Sequence, residues 1–240
     1  MLMITKWIWM GIILFPAYIA AASGQVRLGV SGGVNLSRLS YEPRERYTTA
    51  PDERILPSYR VGGVIDISLA TPFALQTGVF LSGKGGKSRF AGTAGSYTHT
   101  MTPSYLEIPA DLLIKPYITR ELRLYMGLGP YLGIGLGGKS RYSGSDVPGG
   151  AYTDKHKLAY GNGDNDDLKK RDFGGNLMAG FEFNSGLLIG VRYGISFTNN
   201  APKANLDAPK TLRNKVFGLE VGYLFTSYRR WPTHRNYYYY

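Results

Sequence analysis

Across residues 25–225 apolar and polar positions alternate with a period of two, in eight segments separated by turn-rich stretches. Such alternation marks strands with two different faces, because successive side chains leave opposite sides of the pleat. In the first segment Val26, Leu28, Val30, Val34 and Leu36 share one parity, against Arg27, Ser31 and Asn35 on the other. The same pattern recurs over 59–69, 73–81, 106–114, 122–136, 173–183, 187–197 and 217–225. These segments predict eight strands in an all-β chain.

The connections alternate too. Residues 70–72, 118–121 and 184–186 are short links, whereas 37–57, 85–103, 137–171 and 199–213 are long ones. An antiparallel up-and-down barrel places every short turn at one end and every long loop at the other. Transmembrane barrels have this asymmetry, with short periplasmic turns and longer extracellular loops. The expectation is an eight-stranded antiparallel up-and-down transmembrane β-barrel with four long extracellular loops.

The distribution of charge decides which face is which. Within the eight segments the apolar parity carries no charge; the first on that parity is Lys215, at the outer rim of the last. The other parity holds Arg27, Arg60, Asp66, Lys84, Glu107, Asp111, Lys115, Arg123, Asp172, Glu182, Arg192 and Glu220. A soluble barrel would turn the apolar parity inward and leave an outer surface rich in glycine, including Gly78, Gly129, Gly180 and Gly190. A membrane barrel does the reverse, and glycine then makes room in a narrow lumen. An Arg or Lys at the midplane of a lipid face costs about 2–4 kcal/mol, which accounts for a charge-free exterior. Tyr59, Phe173, Tyr193, Phe197 and Phe217 lie toward the loops on that exterior, and Phe73, Phe181, Phe183, Tyr223 and Phe225 toward the turns. Two aromatic girdles are expected of such a barrel.

The twelve lumen charges comprise six of each sign. An eight-stranded barrel is roughly filled by its own side chains, and buried charges are tolerated only when paired. The sequence therefore predicts an interlocked ion-pair network that plugs the lumen; a narrow ion path is the alternative.

The N-terminus supplies the route to the membrane. Lys6 precedes the apolar run 7–20, and Ala20-Ala21-Ala22 and Ser23-Gly24 offer small-residue cleavage sites. Together they describe a secretory signal peptide over 1–24, leaving the barrel at 25–225 and a periplasmic tail at 226–240. Export to a Gram-negative outer membrane makes nucleic acid an unsuitable partner for a chain of net charge +11. The basic residues Arg38, Lys87, Arg89, Lys139 and Arg141, near the outer rim, would instead meet outer-membrane lipid and lipopolysaccharide phosphates. The chain has no cysteine, hence no disulfide, thiolate metal site or lipobox anchor.

Short glycine-biased motifs carry a family likeness. Tyr105-Leu106-Glu107-Ile108-Pro109, followed by Leu112-Leu113 and Lys115, the stretch Gly127-Leu128-Gly129-Pro130-Tyr131-Leu132-Gly133, and Phe80-Leu81-Ser82-Gly83-Lys84-Gly85 resemble the PorT-like small outer-membrane β-barrel proteins. That resemblance implies a porin-like barrel over about 25–225, and in some relatives a role assisting protein secretion across the outer membrane; it carries over no catalytic residue.

Catalysis finds little support. His99, His156 and His234 all fall outside the eight segments, and His99 has hydroxyls nearby but no adjacent carboxylate. The acidic run Asp164-Asn165-Asp166-Asp167 lacks the spacing of a calcium loop. No cofactor and no metal are expected. The favoured reading is a non-enzymatic envelope-structure or interaction protein, or a secretion accessory, that acts through its loops and rims. A narrow-pore transporter is the runner-up, and a lipid-modifying barrel enzyme stands behind it.

Overall fold

The computed structural model describes residues 26–42, 52–92, 95–145, 150–202, 204 and 209–225. The expected signal peptide and periplasmic tail lie outside these residues. The described residues form one antiparallel sheet of eleven strands: β1 (Val26–Glu42), β2 (Asp52–Arg54), β3 (Leu56–Ala70), β4 (Phe73–Gly83), β5 (Gly86–Gly92), β6 (Gly95–Ile114), β7 (Leu122–Ser145), β8 (Tyr152–Lys157), β9 (Arg171–Phe183), β10 (Leu187–Ser196) and β11 (Thr211–Leu224).

The pairings run β1–β3–β4–β6–β7–β9–β10–β11 and return from β11 to β1, so the sheet closes on itself through these strands. The other three lie off that circuit. β5 pairs with the outer part of β6, β2 pairs with β5, and β8 pairs with the outer part of β7. The described residues thus hold eleven strands where the sequence predicts eight, three of them off the closing circuit. The cause is that the long connections do not remain loops: β6 runs for 20 residues and β7 for 24, well past the apolar segments that mark them in the sequence. Beyond the apolar belt both faces are polar, so pairing continues after the alternation signal has vanished.

A register shift between Ser104 and Tyr105 sets the faces of this outer extension. Gly135 opposes Tyr105 and Gly137 opposes Ser104, which leaves Leu136 as an extra residue in β7. A bulge of this kind exchanges inward and outward parity along the bulged strand. Ser140 is buried beyond it, while Lys139 and Arg141 are exposed.

Burial follows the charge argument. Leu128 is 65% exposed, whereas Asp66, Asp111 and Asp172 are fully buried. All ten aromatic residues assigned to the two girdles are exposed on the outer surface. An apolar belt of this extent far exceeds the patches that soluble proteins present to water. The lumen face is shaped by glycine: side chains added at Gly180 and Gly190, on adjacent strands, would run into the hydroxyl of Tyr125. Only residues without a Cβ let that ring cross the narrow interior.

Leu128→Arg places a cation in the middle of the apolar belt. It is expected to destabilise the protein in lipid vesicles by about 2–4 kcal/mol, with Leu128→Ile nearly neutral, as read from urea-dependent unfolding in the bilayer.

Candidate functional site

Alternation along each closing strand delivers one inward side chain every second residue, and these build the lumen in layers. Along β3 from the turn end, Asp66, Val64 and Arg60 face inward. Along β6 the inward series is Leu113, Asp111, Glu107, Tyr105 and Met101, with Lys115 just beyond the turn end of the strand.

At the turn end Arg27 and Lys115 share two carboxylates. Arg27 reaches Asp66 at 2.6 Å and Glu182 at 2.6 Å. Lys115 pairs with Asp66 and, at 3.0 Å, with Glu182. Arg123 opposes Glu182 across β7 and β9, and its guanidinium lies 4.0 Å over the ring of Tyr117. An apolar collar follows, made by Val64, Ala74, Phe80, Leu113, Tyr125, Met178, Leu188 and Leu224.

The other charges form one continuous chain. Asp111 pairs with Arg192 at 3.0 Å, Arg192 with Glu220 at 2.9 Å, and Glu220 with Arg60 at 3.0 Å. Arg60 continues to Glu107 at 3.3 Å, which takes Lys84 at 2.9 Å, and Lys84 reaches Asp172 at 3.1 Å. The Arg60 guanidinium also sits 3.4 Å from the centre of the Phe80 ring, and Lys84 lies 3.9 Å over Tyr131. Asp172 has further partners in Ser196, Asn200 and Asn214. All twelve charged residues singled out in the sequence thus face the interior, and eleven of them fall into two ion-paired groups. Two gaps of about 10 Å³ each lie in the lumen, one beside Val64, Phe80 and Tyr125 and one beside Arg60, Lys84 and Glu107, each with the room of a single water at most.

Above the chain of charges lies a second apolar cluster, which the sequence pattern missed. Leu39, Met101, Leu158, Leu168, Ala201 and Leu212 pack together, with Tyr160 against them. Leu158, Tyr160 and Leu168 come from the segment between β8 and β9, which folds back through a Tyr160–Leu168 bridge. The Tyr160 hydroxyl donates to the carbonyl of Gly137 at 2.9 Å, and its ring meets Tyr105 edge-on. Within polar loop sequence these apolar residues have no periodicity to announce them.

The histidines differ from expectation. His99 lies in β6 and His156 in β8, because the outer hairpins extend as strands. His99 is partly buried: it stacks on Tyr142 with ring centres 3.9 Å apart, and its Nε2 lies 2.9 Å from the Ser140 hydroxyl. Burial lowers its pKa to about 4, outweighing the opposing pull of Asp167. His156 meets Asp167 at 3.1 Å. The serine and the carboxylate therefore contact different imidazoles, and Ser140 is fully buried. In the acidic run, Asp166 accepts from the Gly163 amide and Asp167 from the Ala159 amide, so both shape the turn. His234 lies outside the described residues.

Lys84→Met removes the common partner of Glu107 and Asp172, and is expected to cost about 3–5 kcal/mol of folding stability. Adding Glu107→Gln should recover part of that loss, read as a double-mutant cycle of unfolding in vesicles. A second expectation concerns pH. His99 is neutral in the folded hairpin down to about pH 4, while the unfolded segment protonates near its ordinary value of 6.5. Stability of the outer hairpin is therefore full above that ordinary value and declines as pH falls toward about 4. Amide hydrogen exchange in β5 and β6 should quicken over that window, and His99→Gln should abolish the change.

No curated protein matches the chain. Among solved structures, Ail, the attachment invasion locus protein of Yersinia pestis, is 14% identical, with 84% of this chain and 99% of that one covered and a TM-score of 0.38. Neisserial surface protein A is 12% identical over 82% of this chain and 97% of its own, with a TM-score of 0.38. OprG from Pseudomonas aeruginosa is 13% identical over 84% and 95%, with a TM-score of 0.31. The family match is what assigns the chain: residues 20–201 fit the outer membrane protein beta-barrel domain, and the protein belongs to that family of outer-membrane barrels.

Proposed function

We propose that this chain is an eight-stranded up-and-down transmembrane barrel of a Gram-negative outer membrane that neither conducts solutes nor catalyses a reaction, and that acts through its outer end. In this reading residues 1–24 direct export, 25–225 form the barrel with β2, β5 and β8 standing outside the bilayer, and 226–240 extend into the periplasm. The work falls to the loops and rims, in envelope structure, in interaction with other envelope components, or in a PorT-like accessory role in secretion.

The observation that carries this reading is the stacking of the lumen. A turn-end ion cluster, an apolar collar, a chain of ion pairs and an outer apolar cap succeed one another along the strands. A solute path would have to break several buried pairs at once. Breaking one by removing a partner costs about 3–5 kcal/mol. Among the described residues no carboxylate bonds to His99, whose Nε2 meets the fully buried Ser140 hydroxyl, an arrangement that favours a packing role over a catalytic one.

Planar bilayer recording tests this directly. The purified full-length protein should show no stable conductance steps above background, and Arg60→Ala/Arg192→Ala, which empties the centre of the ion chain, should introduce them. Stable steps from the unaltered protein would replace this reading with a narrow-pore transporter.

A further inference from the structure

The outer hairpins sort their charges by face. β8, β7, β6 and β5 lie side by side, and their register sets Lys139 opposite Lys157 and Arg141 opposite Lys155. On β6 the partners of Lys139 and Arg141 are Thr102 and Thr100, and Thr100 in turn opposes Lys87 on β5. Residues directly opposed across strands project from one face, so the five cations form a single patch. The other face of the same strands carries His99, Ser140, Tyr142, Asp154 and His156.

The patch continues the lipid-facing wall. Along β6 the outward series passes from Leu106 through Ser104 to Thr102 and Thr100, and the extra residue at Leu136 turns Lys139 and Arg141 to the same side. Lys139 is only three residues beyond Leu136, an exposed member of the apolar belt. At about 3.3 Å per residue its backbone stands no more than roughly 10 Å past that edge. Its side chain, and that of Lys157 beside it, are at the level of lipid headgroups.

Among the described residues the five cations are also uncompensated. All are exposed, and none of them makes an ion pair among the described residues. Their neighbours differ: Arg54 takes Asp52 at 2.9 Å and Arg38 takes Glu53 at 2.9 Å. Like charges directly opposed across strands destabilise a sheet, and here two such pairs are stacked two residues apart. Four positive charges on a grid of about 5 by 7 Å suit several phosphates at once rather than one carboxylate.

We infer that the patch formed by Lys87, Lys139, Arg141, Lys155 and Lys157 binds the phosphate groups of lipopolysaccharide in the outer leaflet. The inference rests on the transmembrane reading above, and names the ligand of its outer flank. The position on the flank, level with the belt's edge rather than over the mouth of the barrel, selects a lipid of the surrounding leaflet over a soluble polyanion.

The test uses the full-length protein in detergent micelles, titrated with purified lipopolysaccharide bearing its lipid A phosphates and read by native mass spectrometry. Binding should weaken with added salt. K139Q/R141Q/K155Q/K157Q should bind about tenfold more weakly or worse, and dephosphorylated lipopolysaccharide should bind the unaltered protein as poorly. Arg120→Gln, at the opposite end, should leave binding unchanged. Equal affinity of the quadruple variant, or equal binding of the dephosphorylated lipid, overturns the inference. So does a sulfated polysaccharide in solution that binds the patch as tightly as the lipid does. Insertion into vesicles, followed by heat-modifiable gel migration, separates the two levels. Failure of the unaltered protein to insert would sink the barrel reading itself, whereas normal insertion with unchanged lipid binding removes only this inference.

Discussion

A polypeptide in hydrocarbon has no water to satisfy its amides, and each unpaired group costs several kcal/mol there. A sheet meets that constraint by leaving no free edge. In this chain the return pairing of β11 onto β1, and of β6 onto β7, closes the circuit. Closure then forces the choice of faces. One parity must meet lipid along its whole length, and the other must fill an interior too narrow for much water. Leu128 outside and Asp111 inside, on neighbouring strands, are two results of one requirement.

Filling that interior with charge is not a cheap route to stability. Buried ion pairs often do no better than apolar residues of the same size, because desolvation offsets the Coulomb attraction. Their effect here is on register. A slip of one residue in any closing strand would turn its carboxylates and guanidinium groups toward lipid and its leucines inward. Arg60 links β3 to β6 and β11, and Arg192 links β10 to β6 and β11, so strands distant in sequence are held in one alignment. The glycines complete the arrangement by letting Tyr125 lie across β9 and β10 instead of pushing them apart.

Legibility in the sequence followed the same physics. Where lipid imposes a charge-free face, parity can be read residue by residue: Leu128 falls outside, and Asp66, Asp111 and Asp172 fall inside. Beyond Leu106 and Leu136 that pressure ends. β5 and β8 have polar residues on both faces, so their sequences resemble loops although they are paired strands. The outer cap was invisible for another reason: Leu158, Leu168 and Ala201 reach one another through folded loops, with no fixed spacing. The misplacement of His99 followed from the missing strand, since a histidine in a presumed loop has no face. The bulge at Leu136 was equally hidden, because it lies in a run of glycines that gives no parity to follow.

That bulge determines what the outer hairpins can do. Without it Lys139 and Arg141 would point toward the axis, where the apolar cap and the stacked His99 and Tyr142 rings lie. With it, each hairpin has an inner face that packs and an outer face that does not. The inner face supplies the cohesion, through the His99–Tyr142 stack and the Met101 contacts with the cap. The outer face then needs to contribute none, and can hold like charges side by side at a cost the inner face offsets. A soluble β-sheet would relieve such repulsion with an interleaved carboxylate, as Arg54 does with Asp52 only a few strands away. Among the described residues the β7–β8 face has no such carboxylate, so its like charges stand open to an anionic partner beside the apolar belt.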